Sequence, residues 1–173
     1  MEIPHLGTVT KDHQFGWYYS LPIPIPVLGG IECQIVLEDY DEDQAKEDFH
    51  TAILNFLSIS PDVLKAAEPH LYRYYQDCNA DFDPEEEGYL EIPTPECVWQ
   101  HIQFGTEPMV TRRACGDKGV YVSLACNCDW EQEHGLQIVF KNGLGINKVG
   151  PYDGHLTNSD AYAQDELEGV VYR

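Results

Sequence analysis

Positive charge is scarce in this 173-residue chain: ten Lys and Arg stand against thirty Asp and Glu, a formal net charge of −20. Such a surface repels phosphate backbones and anionic headgroups, which sets aside nucleic-acid binding and attachment to acidic membranes. No run comes near the ~20 apolar residues of a membrane span. The opening MEIPHLGTVT lacks the basic and apolar regions of a secretory signal, so a cytoplasmic protein is expected. Six cysteines in that setting are expected to be reduced and mostly structural. There is no glycine-rich phosphate loop between a strand and a helix, no H-E-x-x-H, no pair of C-x-x-C and no nucleophile elbow. No cofactor is predicted, with a divalent metal kept as the alternative.

What is present suffices for one domain over 1–173, since 43% of the residues are hydrophobic and the length allows a core without staples. Residues 5–11 and 14–20 read as a first hairpin, rich in strand-favouring aromatics. Pro22, Pro24 and Pro26 cannot donate to a ladder, so LPIPIPVLGG is an edge or an extended connector. IECQIVLEDY alternates as a strand with one wet face, Ile31, Cys33, Ile35 and Leu37 opposite Glu32, Gln34, Val36 and Glu38.

Two helices follow. Ala45, Phe49, Ala52, Ile53, Phe56 and Leu57 make one apolar stripe, with Asp41, Glu42 and Asp43 at its positive end. Asp39, Asp41 and Asp43 have calcium-loop spacing, but Gln44 and His50 stand where that loop needs Gly and Glu. Ser60 and Pro61 start the second helix, which Pro69 is expected to kink or break. An acidic loop, ADFDPEEEGYLEIP, comes next. Thr94 and Pro95 open a short helix to about Gln103, with a strand as the competing reading of the segment.

The C-terminal half reads as an antiparallel meander. PMVTRRAC is a strand, 116–119 a turn, and VYVSLACNCDW a long strand with Val120, Val122, Leu124, Cys126 and Cys128 on one face. Asn142-Gly143 is a two-residue hairpin turn, which sets Phe140 opposite Gly145 and Ile138 opposite Asn147. The fold class is therefore α+β: a C-terminal meander plus N-terminal strands, packed by two to three central helices. The N-terminal strands either join the meander or form a separate sheet. The tail is a helical turn or two, then a short strand or arm.

Alternate connections of a meander lie at one end of the sheet, so the loops at 129–134 and 150–160 are expected to be neighbours. They would bring Asp129, Trp130, Glu131, Glu133, His134, Asp153, His155, Asn158 and Asp160 to one rim, the candidate binding site. Glu133 beside His134, with Asp153 or Asp129 as orienter, has the parts for acid–base catalysis, with Cys126 or Cys128 as a nucleophile. Glu133, His134, Asp153 and His155 are the candidate metal ligands.

The run C-N-C-D-W-E-x-E-H-G-L, continued by V-F-K-N-G and D-G-H-L-T-N-S-D-A-Y, resembles a bacterial family known as a domain of unknown function. The likeness implies no activity to carry over. In size, acidity and layout the chain is also loosely similar to immunity proteins that neutralise bacterial toxins. The preferred expectation is a non-enzymatic protein-binding domain, immunity-like, whose acidic loops at 38–48 and 81–91 meet a basic protein partner. The alternative is a metal-assisted or acid–base enzyme using Glu131, Glu133, His134, Asp153 and His155.

Overall fold

The computed structural model describes residues 1–80, 82–86 and 88–173; Asp81 and Glu87 of the acidic loop lie outside the described residues. Eleven strands are described: β1 (Glu2–Ile3), β2 (Gly7–Lys11), β3 (Tyr18–Ser20), β4 (Ile23–Ile25), β5 (Ile31–Cys33), β6 (Val36–Leu37), β7 (Ile102–Phe104), β8 (Met109–Arg112), β9 (Val120–Cys128), β10 (Glu131–Lys141) and β11 (Gly145–Gly150). The helices are α1 (Lys46–Leu57), α2 (Pro61–Asn79) and α3 (Asn158–Tyr162). Helices and a mostly antiparallel sheet make the fold α+β.

The open question about the N-terminal strands is answered by one sheet in the order β1-β2-β3-β6-β8-β9-β10-β11, with β7 also paired to β9. The junction is the parallel pair β6–β8, Val36 beside Met109 and Leu37 beside Val110. The expected single strand over IECQIVLEDY is split. β5 pairs only with β4, closed by a left-handed Gly29, whereas β6 enters the large sheet. Val36, placed on the wet face by parity, is buried on the second face of that sheet.

The apolar stripes turn to the core as their spacing predicts except at Ala45, which is exposed and precedes α1 as its N-cap residue. Phe49, Ala52, Ile53 and Phe56 of α1 are buried, and Phe56 meets Phe140 edge-on at 5.3 Å. In α2 the Ser60 hydroxyl accepts from the Asp62 N–H, and Leu64, Ala67, Leu71, Tyr74 and Tyr75 are buried. Pro69 neither ends nor splits α2. It is exposed, so its ring and missing N–H fall on the solvent side. Residues 95–101 form a 3-10 helix and the chain becomes strand at Ile102, so both readings of this segment are partly realised.

Val120, Val122, Leu124, Cys126 and Cys128 all join the main core, which runs from Ile3 to Val149. The other face of β9 and β10 is covered too: Tyr121 and Val139 pack with Leu156, which follows β11. The hairpin register differs from the expected one. Lys141 pairs with Gly145 and Phe140 with Ile146, and a bulge then sets Ile138 against Val149. The turn therefore uses three residues, Leu144 included, with Asn142 and Gly143 both at positive φ. Asn147, in the bulge, gives its amide to the Leu156 carbonyl at 2.8 Å and ties the segment after β11 to the sheet.

Candidate functional site

The 129–134 segment is not a plain loop. Glu131 pairs directly with Cys128, closing a tight turn on Asp129 and Trp130, and Leu136 then pairs with Cys126. Four residues, Gln132 to Gly135, bulge outward opposite the single residue Asn127. Gly135 is needed there: its φ is +63°, and a Cβ would lie 2.7 Å from the Cys126 carbonyl oxygen. A bulge of this kind re-aims side chains, and it leaves Gln132, Glu133 and His134 exposed.

The expected rim comes together only in part. The Tyr152 N–H donates to the His134 carbonyl at 3.3 Å, so the two connections do meet. Their side chains then diverge. Trp130 turns into the core, 8% exposed, edge-on to Tyr74 and Tyr75 at 6.0 and 6.2 Å. Asp129 accepts from the ring of His101 at 3.0 Å. Glu131 turns back on its own strand and accepts from the backbone N–H groups of Glu133 and His134. Burial works to raise its carboxyl, but those donors and the His134 ring outweigh it and hold the group below its usual value.

Asp153 is bound to Lys148 and accepts from the His155 N–H at 2.8 Å. Lys148 is 2% exposed, and its ammonium also reaches Gln137 and the His155 carbonyl. Burial lowers its pKa, opposed by Asp153. Asn158 is buried and holds the tail through the carbonyls of Val170 and Val171. Among the described residues no group of three or more His, Cys, Asp and Glu side chains is placed to hold a metal ion, so Glu133, His134, Asp153 and His155 do not form the expected ligand set. Cys126 and Cys128 are buried and burial pushes both thiols up to about 12, the reverse of what a nucleophile needs.

Asp160 shares a concavity with His155 but is engaged by Arg113. Arg113, 4% exposed, donates to both oxygens of Asp160 and both of Glu168, and to the Ser159 hydroxyl. These residues line a concavity of about 850 Å³ together with Cys115, Asp117, His155 and Asp165. Its one buried cation is saturated by the chain's own carboxylates, so its chemistry is that of a clamp. The spacing of Arg113 from Asp160 and Glu168 carries no local signal, and sequence reasoning passed it by.

The two acidic segments differ in the same way. Within 38–48, Asp41 takes Lys11 and the Tyr18 hydroxyl, and Arg112 takes Asp43 and Asp48. Three of that segment's seven carboxylates are thus tied to Lys or Arg. Asp83, Glu85, Glu86 and Glu91 are exposed and make no ion pair among the described residues, and the same is true of Glu133. This loop and the β9–β10 turn face each other across a groove of about 570 Å³. Cys78, Phe82, Gly88 and Trp130 line it together with Asp129, Glu131, Gln132 and Glu133.

A family model described as "Domain of unknown function (DUF6985)" matches residues 5–156. The chain belongs to that family. No curated protein and no solved structure matches it. The DUF6985 match takes in the groove, the bulge and the Lys148–Asp153 pair, and it ends just before α3.

Proposed function

We propose that this DUF6985 domain is a non-enzymatic, cytoplasmic binding module that presents its acidic groove to a basic protein, in the manner of an immunity protein covering its target. The observation that carries this reading is the partition of charge. Arg112, Arg113, Lys11, Lys141 and Lys148 are all paired with carboxylates elsewhere on the molecule. Among the described residues Asp83, Glu85, Glu86, Glu91 and Glu133 make no ion pair, in the two segments that flank a groove with the aromatic side chains of Phe82 and Trp130 in its wall. An apolar wall with an anionic rim suits the aliphatic stems and charged heads of lysine and arginine. The acid–base reading has less support, because Asp153 and Glu131 already serve as acceptors for their neighbours.

The test is co-purification with the products of neighbouring genes at 50 mM and at 500 mM salt. It is repeated with a variant carrying Glu85→Gln, Asp129→Asn and Glu133→Gln. A basic partner is expected whose affinity falls roughly tenfold or more with salt and likewise with the triple variant. A partner held equally by both proteins, or at both salts, overturns the proposal.

A further inference from the structure

The bulge that borders the groove also borders a second concavity, on the sheet face opposite the main core. Val120, Val122 and Leu124 of β9 enter that core, so Tyr121, Ser123 and Ala125 share the other face. There Leu156 packs over Tyr121 and Val139, whereas Ala125 is exposed. Two adjoining hollows of about 290 and 320 Å³ open over this stretch and share Gly105, Ala125 and the exposed Tyr152. One reaches Ser123 and Glu107, the other Gln132, Glu133 and His134. Gly105 lays its backbone directly on β9. Its N–H donates to the Ala125 carbonyl at 2.9 Å, and a Cβ would lie 2.2 Å from that oxygen.

A row of buried polar groups crosses the sheet and ends at this hollow. The Lys148 ammonium donates to the Gln137 side-chain oxygen at 3.3 Å, and the Gln137 amide nitrogen donates to the Ser123 hydroxyl at 2.8 Å. All three residues are buried, Ser123 at 8% exposure. The ammonium fixes the direction of the row, because it carries donors alone and must face the amide oxygen. The Ser123 oxygen therefore accepts, and its own proton has no acceptor among the described residues. A buried hydroxyl with its donor unspent, in the wall of a hollow, is satisfied by an acceptor atom from outside.

We propose that this hollow binds a basic peptide segment, with a main-chain carbonyl on the Ser123 hydroxyl and a lysine or arginine head at Glu107 or Glu133. The acceptor has to be neutral. Glu107 and Glu133 are exposed, and neither makes an ion pair among the described residues, so a carboxylate or phosphate would be repelled. A peptide carbonyl is such an acceptor, and a cationic side chain beside it complements the two carboxylates. The exposed ring of Tyr152 between them suits an aliphatic stem or a guanidinium. Gln132 and Glu133 also line the groove, so this inference rests on the basic partner proposed above and carries its contact over the bulge to the second face of the sheet.

The test is an NMR titration of the isotope-labelled full chain with an acetylated, amidated Arg-Ala-Arg peptide. An Ala-Ala-Ala peptide with the same ends supplies carbonyls without cations, and spermidine supplies cations without carbonyls. The basic peptide should shift the amides of Gly105, Ser123 and Tyr152 and saturate below about 10 mM. Ser123→Ala should weaken this binding roughly fivefold or more, and Ser123→Thr, which keeps the hydroxyl, should retain it. Should Ser123→Ala fail to fold, the two control ligands on the parent protein still decide. Spermidine bound as tightly at the hollow overturns the carbonyl, and the neutral peptide bound as tightly overturns the carboxylates. Unchanged affinity in Ser123→Ala overturns the role of the hydroxyl. Shifts confined to Phe82, Gly88 and Trp130 overturn the hollow and leave the groove in place; shifts confined to the hollow support it and count against the groove.

Discussion

Gly143 is the residue where local and distant demands coincide. Its φ of +67° suits the turn after β10, and a Cβ would lie 2.1 Å from the Ala52 carbonyl oxygen and 2.9 Å from the Phe56 nitrogen of α1. The Asn55 amide, donating to the Asn142 carbonyl at 2.9 Å, fastens the same turn to the helix. Gly143→Ala is therefore expected to cost roughly 3 kcal/mol, from backbone strain and a clash with main chain that has little room to move. Gly145→Ala, where nothing lies within 4 Å, should stay within about 0.5 kcal/mol of the parent protein. Urea denaturation of the two variants checks the pair, and equal losses would show that α1 yields to the added methyl. The Asn-Gly signal made the turn legible in the sequence. The need for glycine against α1 was not, because it arises from backbone some ninety positions away. The register slipped for a similar reason: the bulge at Asn147 is fixed by its bond to Leu156, which no periodicity records.

At the scale of elements, α3 and the segment after it are held to the β8–β9 connection mainly by Arg113. Asp160 and then Glu168 raise the Arg113 pKa, while burial opposes them. Both carboxyls are held below their usual values with Arg113 as the largest cause. Arg113→Ala removes the guanidinium that neutralises the half-buried Asp160 and its neighbour Glu168 and is expected to cost about 3–5 kcal/mol. Arg113→Lys should recover little, since an ammonium cannot reproduce two bidentate forks. The pH dependence gives the sign. Depressed carboxyl pKa values stabilise the fold above the unfolded values near 4 and lose that contribution as pH falls through the folded ones. The parent protein should accordingly lose stability more steeply below pH 4.5 than Arg113→Ala does, as thermal melts across pH 2.5–6 would show. Parallel slopes would mean that the clamp contributes no proton linkage. Helix faces and strand parity were readable here because they are periodic. The parallel β6–β8 pair and the clamp join residues far apart in sequence, and no short-range pattern encodes them. The rim was half readable for the same reason. Topology brings Tyr152 to His134, but whether Trp130 points to solvent or into Tyr74 and Tyr75 depends on α2.

For the whole molecule, composition fixes the sign of the field and the fold decides where it is strongest. Thirty acidic residues against ten basic ones mean that repulsion opposes the compact state. Added salt acts on two opposed contributions. It weakens attractive pairs such as Lys141–Asp117, both partly exposed, yet pairs of that kind contribute only ~0–1 kcal/mol each. The ammonium of Lys148 and the guanidinium of Arg113 are buried, where screening reaches poorly. Salt also relaxes repulsion among the carboxylates left without cations, which among the described residues include Asp83, Glu85, Glu86, Glu91 and Glu133. These outnumber the exposed pairs, so relief of repulsion should win. The melting temperature is expected to rise between 20 and 500 mM sodium chloride by roughly 3–6 °C, the equivalent of about 1–2 kcal/mol for a chain of this length. Because Glu85 and Glu133 stand exposed without an ion-pair partner in the two segments that flank the groove, the triple variant Glu85→Gln, Asp129→Asn, Glu133→Gln should melt higher at low salt and gain less from added salt. Scanning fluorimetry of both proteins over that range decides the matter. A parent protein that melts lower in high salt would show that the internal ion pairs outweigh the surplus. A variant with an unchanged salt response would place the repulsion elsewhere on the surface.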